Sequence, residues 1–132
     1  MTEATSIPSS FIAVVDDDLR ILESLESLLE AAGYIAAVFP SAEAFLQSSV
    51  MEKASCLITD VRMPSINGLE LQWRMKSLRP NLPIIFMTAH NDDEAERRAV
   101  REGAAGFLHK TFSASDFLIA VRRALGELTE EQ

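Results

Sequence analysis

The sequence predicts an α/β fold, a doubly wound parallel sheet of five strands interleaved with five helices. Three observations predict it. Short β-rich runs alternate with segments of helical apolar spacing, the first run (Phe11-Ile12-Ala13-Val14-Val15) is apolar at successive positions as a strand buried on both faces is, and 132 residues suit one compact domain.

In order, residues 1–10 are a polar lead with Ser, Thr and Pro8, expected to be loosely ordered; the domain spans 11–128, and 129–132 form a short tail. The first strand, Phe11 to Val15, stops abruptly at Asp16-Asp17-Asp18. A helix follows from Leu19, with Ile21, Leu22, Leu25, Leu28 and Leu29 at helical spacing and Gly33 where a C-cap belongs. Tyr34 to Phe39 reads as the second strand, and Ser41 as the N-cap of a short helix over 42–48. Cys56 to Thr59 is the third strand, ending at Asp60; after Pro64 and Gly68 comes a helix with Leu71, Met75 and Leu78 on one face. Pro83 to Met87 is the fourth strand, ending at Thr88, and residues 92–102 form the fourth helix, stopped by Gly103. Ala105 to His109 is the fifth strand. In the fifth helix, Ser113 and Asp116 fit a capping-box variant, and Leu118, Val121, Leu125 and Leu128 make an apolar stripe. There is no internal repeat and no low-complexity segment. Right-handed crossovers leave few topologies, and the flavodoxin-like (βα)5 strand order 2-1-3-4-5 suits this length.

Composition narrows the function. Twelve Lys and Arg against twenty Asp and Glu leave a net charge of −8, which argues against direct nucleic-acid contact through a general phosphate-binding surface. No basic amphipathic helix points to a membrane surface, and no apolar stretch approaches the ~20 residues that span a bilayer. Met1 to Ser10 holds no Lys, no Arg and no hydrophobic segment, so it does not read as a signal peptide, and a lone Cys56 cannot form an internal disulfide. The expected compartment is the cytoplasm.

In open α/β sheets, ligands bind outside the carboxyl ends of the strands, where the strand order reverses. Strand 1 delivers Asp16 and Asp17 there, strand 3 Asp60, strand 4 Thr88 and strand 5 Lys110. Three close carboxylates repel one another unless a proton or cation relieves them, and hard oxygen ligands with room for water suit Mg²⁺. With that charge neutralised, Asp60 can attack a phosphoryl group, Lys110 can hold one phosphoryl oxygen and Thr88 can donate to another.

These motifs resemble the response-regulator receiver domains of two-component signalling over about residues 10–128. The resemblance rests on Val14-Val15-Asp16-Asp17, on Asp60-Val61-Arg62-Met63-Pro64 with Gly68, on Met87-Thr88-Ala89 and on Gly106-Phe107-Leu108-His109-Lys110. The wording is closest to the FixJ-like receivers. The resemblance implies that Asp60 accepts a phosphoryl group from the phosphohistidine of a sensor histidine kinase or phosphotransfer protein. It implies that Asp17 binds Mg²⁺ directly, Asp16 mainly through water, and Arg62 by its backbone carbonyl. Phe107 matches the family's switch aromatic, and the face of the fourth helix, fifth strand and fifth helix is implied for phosphorylation-dependent homodimerisation or partner docking. One departure is Thr111, where the family usually carries a proline after the lysine, often with a cis peptide; the loop is either trans and shifted or held cis under strain.

Singly, several of these residues have ordinary readings. Asp16 to Asp18 alone would be a strand-to-helix turn, and Asp18 itself reads as a cap rather than a ligand. Phe107 is open between core packing and a moving switch. His90 and His109 lack metal-ligand spacing, though His90 lies two residues past Thr88 and Arg62 two past Asp60, where the family tunes phosphoryl lifetime. Cys56 reads as a small core residue, and Trp73 as surface packing or a partner site. A haloacid-dehalogenase-type phosphatase shares the apolar strand followed by Asp16-x-Asp18 with a later Thr and Lys, but no acidic metal pair follows Lys110 and the chain is short for its core and cap. A degenerate receiver that binds without phosphorylation has Thr111 as its support. Beyond Leu128 the sequence offers only Thr129 to Gln132, so a stand-alone regulator and a piece of a longer transcription factor both remain open.

Overall fold

The computed structural model describes residues 10–89 and 91–127. The elements run β1 (Phe11–Val15), α1 (Leu19–Ala31), β2 (Ile35–Phe39), α2 (Ala42–Leu46), α3 (Val50–Lys53), β3 (Cys56–Asp60), α4 (Gly68–Leu78), β4 (Ile84–Thr88), α5 (Asp93–Arg101), β5 (Gly106–His109) and α6 (Ala114–Ala124). All strand pairs are parallel and the sheet order is β2-β1-β3-β4-β5, the expected 2-1-3-4-5. Residues 1–9 of the expected lead, the tail and Leu128, with His90, lie outside the described residues.

Pleating sends alternate strand residues to opposite faces. Ile12, Val14, Ile58, Ile85 and Met87 meet Leu22, Leu25 and Leu29 of α1 and Phe117 and Val121 of α6. Ala13, Val15, Leu57 and Phe86 meet Phe45 of α2, Leu71 and Met75 of α4, and Ala95 and Ala99 of α5. The helix starts follow local side chains: Asp18 caps α1, Ser41 caps α2, Asn67 caps α4, Asp92 caps α5 and Ser113 caps α6, each accepting a backbone N–H. Gly33 and Gly103 end α1 and α5 with φ of 97° and 101°, a region that favours glycine.

Two local expectations are corrected. The single helix over 42–48 is shorter, and a separate four-residue α3 follows it, started by a Ser48 Oγ that accepts from Val50 N at 2.9 Å. One helical turn is too short to show a periodic stripe. Leu78 is 50% exposed, because the buried face of α4 is Gly68, Leu71, Gln72 and Met75. In α6 Phe117 and Val121 are fully buried, and Leu118 and Leu125 are half-buried against the same cluster, so the expected stripe does face the core.

Candidate functional site

Parallel register places the expected residues at one end of the sheet. Val15 lies beside Thr59, Asp60 beside Met87 and Thr88 beside His109, so β1, β3, β4 and β5 end on a common rim. The residue after β1, Asp16, is fully buried; its backbone N–H donates to Phe39 O at 3.1 Å and ties it to the end of β2. Its Oδ1 accepts from Asp18 N at 2.9 Å and its Oδ2 from Lys110 Nζ at 2.8 Å. Lys110 also reaches Asp60 Oδ2 at 3.4 Å, so one ammonium bridges the ends of β1 and β3. One ligand oxygen from each of Asp16, Asp17 and Asp60 falls within 4.8 Å of the others, with Asp16 and Asp60 buried and Asp17 exposed.

Burial pushes the Asp60 carboxyl above the usual carboxylate range, and the neighbouring Asp16 charge pushes it further, while Lys110 works the other way. Burial works to lower the Lys110 pKa, but the hydrogen bond to Asp16 and the charges of Asp60 and Asp16 outweigh it, so the net shift is upward. The ammonium therefore stays charged and partly offsets the acidic cluster. The cluster of hard carboxylate oxygens from Asp16, Asp17 and Asp60 could hold a metal ion.

The backbone around Asp60 is held on several sides. Thr59 Oγ1 donates to Asp60 O at 3.0 Å, Val61 N to Met87 O at 2.9 Å, and Gly68 N to Val61 O at 2.9 Å. A Cβ on Gly68 would lie 2.3 Å from Asp60 O, so only glycine lets α4 begin against the backbone of Asp60. Thr88 is fully buried, and its carbonyl accepts from Lys110 N at 2.7 Å, fixing the lysine's backbone to the end of β4. Among the described residues every peptide bond is trans, so Thr111 resolves to the trans alternative with Lys110 still directed at Asp16 and Asp60.

Phe107 is half-buried and stacks on Phe86 at 6.0 Å between centroids, and its ring lies 5.5 Å from that of His109. Asp18 caps α1 and stands outside the acidic cluster, as its sequence position implied. Arg62 carries its guanidinium to Asp92 at the start of α5. Sequence reading missed Asp92, Thr59 and Gln72; the one signal for Asp92 was its place as an acidic residue before a helix. Among the described residues no helix is long and apolar enough to cross a membrane.

Residues 12–122 match the response regulator receiver domain family. Among curated relatives, the response regulator protein TmoT of Ectopseudomonas mendocina is 41% identical over 116 residues, covering 88% of this chain and 53% of that protein. The transcriptional regulatory protein FixJ of Azorhizobium caulinodans is 40% identical over 120 residues, covering 91% and 57%. The chain thus spans about half the length of the curated relatives it matches. The crystal structure of FixJ-N superposes with a TM-score of 0.81 at 31% identity, covering 93% of this chain and 98% of that one. Fold, strand-end residues and relatives agree, and the chain belongs to the response-regulator receiver domains, among their FixJ-like members.

Proposed function

We propose that this chain is a phosphorylation-driven switch in which Asp60 takes a phosphoryl group from the phosphohistidine of a sensor histidine kinase or phosphotransfer protein. The observation that carries the reading is the Lys110 ammonium set between the buried carboxylates of Asp16 and Asp60, with Asp17 completing the acidic cluster. Asp16, Asp17 and Asp60, with the Arg62 backbone carbonyl, are the groups that would hold Mg²⁺. When bound, the ion supplies positive charge for the carboxylates and the phosphoryl oxygens.

An Asp60 carboxylate oxygen forms the new O–P bond as the P–N bond of the donor breaks, and the electron pair leaves with the imidazole. Lys110 holds a phosphoryl oxygen by its ammonium, and the Thr88 hydroxyl donates to another. The Gly68 and Thr59 contacts keep Asp60 in place while this happens. Slow attack of water on phosphorus returns free phosphate and the original carboxylate, so the chain acts on itself rather than turning over a separate substrate. Phe107 turns further inward as Thr88 engages the phosphoryl group, which changes the face of α5, β5 and α6. That face then favours a second copy or another protein partner, in the cytoplasm, with no nucleic-acid contact from this domain. Sedimentation with and without a phosphoryl mimic reads the last step as a change in mass.

The test is an intact mass after incubation with Mg²⁺ and acetyl phosphate, for the native chain and Asp60→Asn. A single phosphoryl adduct on the native chain, absent from the variant and abolished by EDTA, is expected. No adduct from acetyl phosphate and no response to beryllofluoride would overturn the proposal.

A further inference from the structure

Helix α5 is held to the body of the protein in an unusual way. Its only buried side chains are Ala95 and Ala99, and most of the others are charged, with Val100 57% exposed. Two methyl groups bury little apolar area, so hydrophobic contact fixes this helix weakly. Polar contacts line it instead. Gln72 Nε2 of α4 donates to Ala99 O at 3.0 Å, Lys76 of α4 pairs with Glu102 at 2.5 Å, and His109 of β5 lies 3.4 Å from Glu96.

At the N-terminal end the contact comes from the acceptor loop. Asp92 Oδ1 accepts from Ala95 N at 3.1 Å and caps α5, while its Oδ2 takes the guanidinium of Arg62, two residues past Asp60. One side chain thus starts the helix and ties it to the loop that carries the acceptor.

Resting on the function proposed above, we infer that the Arg62–Asp92 pair is a strap that restrains the first turn of α5 in the unmodified chain. A phosphoryl group on Asp60 adds close to two negative charges and three strong acceptor oxygens beside Arg62 in sequence. Arginine prefers such a group to a single carboxylate, so the guanidinium is drawn from Asp92 and the strap opens. Arg62 is then a positioning residue for the output helix, acting through Asp92. The Asp92 cap survives the exchange, so α5 stays helical and changes only its tether.

The experiment is backbone amide hydrogen exchange over α5 in the full chain, for the native protein, Arg62→Gln, Asp92→Asn and the double variant, each with and without beryllofluoride and Mg²⁺. Asparagine keeps an N-cap acceptor, so Asp92→Asn removes the ion pair and not the cap. Each single variant should speed α5 exchange in the unmodified chain by about threefold to fivefold, the double variant should add little more, and beryllofluoride should speed only the native chain. Unchanged α5 exchange in both single variants overturns the strap, as does a beryllofluoride response that persists in Arg62→Gln. Intact mass with acetyl phosphate, run in parallel, separates the two readings. A native chain that takes no phosphoryl adduct and gives no beryllofluoride response removes the proposed function and the release step together, while the variants in the unmodified chain still decide the strap.

Discussion

Helices α1 and α5 lie on opposite faces of the same sheet, but different forces hold them there. α1 drives Leu22, Leu25 and Leu29 between the strands and α6, whereas α5 offers Ala95 and Ala99 and relies on contacts with Arg62, Gln72, Lys76 and His109. Burying a leucine is worth roughly 1.5–3 kcal/mol, and a single methyl group about 0.8 kcal/mol. Moving α1 therefore means dismantling a core, while moving α5 means exchanging a few polar partners. Under the proposed switch, a helix that responds to one charge is best held by contacts that one charge can compete with.

The largest expected effect breaks the strongly held side. Leu29→Ala should cost about 2–5 kcal/mol in urea unfolding, because Leu29 is fully buried against the sheet. The same variant should speed labelling of Cys56, whose thiol is buried in β3 and pushed up to about 12 by that burial, since only global opening exposes it. A loss below about 1 kcal/mol would end the contrast between the two helices.

Next comes Gly68→Ala, expected to cost about 1–3 kcal/mol, because the new methyl meets Asp60 O at 2.3 Å and α4 has to back away. Under the proposed chemistry it should also slow modification by acetyl phosphate, which a merely local loss of stability would not do. Gln72→Leu sharpens the comparison from the weakly held side. It removes the bond to Ala99 O, but that carbonyl keeps Ala104 N at 2.9 Å, so the cost should be about 1 kcal/mol and the faster exchange confined to α5. The smallest effect belongs to Trp73, which is 68% exposed on α4. Trp73→Ala should leave the unfolding free energy within about 0.5 kcal/mol of native, as read by circular dichroism in urea.

The sheet and the ends of its strands were legible because apolar runs that stop at a charged residue announce both the strand and its rim. Asp16, Asp17, Asp60, Thr88 and Lys110 could be located that way, and Asp18 could be told from its neighbours as a cap. What escaped depends on pairs distant in sequence. Nothing near Arg62 names Asp92 thirty residues on, and nothing near Gln72 names a carbonyl of α5. The role of Gly68 needed coordinates for the same reason, since its neighbour is the backbone of Asp60 rather than any side chain. Leu78 misled because an apolar residue at the right spacing can still fall past the end of the buried stripe.

The bond between Lys110 and Asp16 joins residues 94 positions apart. Its two ends arrive through the first and the fifth strands, which never touch each other in the sheet and are aligned only through β3 and β4. A chain still emerging from the ribosome, or cut anywhere between these residues, can form hairpins of helix and strand but cannot place that ammonium beside those carboxylates. Under the proposed chemistry, competence to be modified is thus a property of the finished domain, and a nascent or clipped copy stays silent even where its Asp60 is intact.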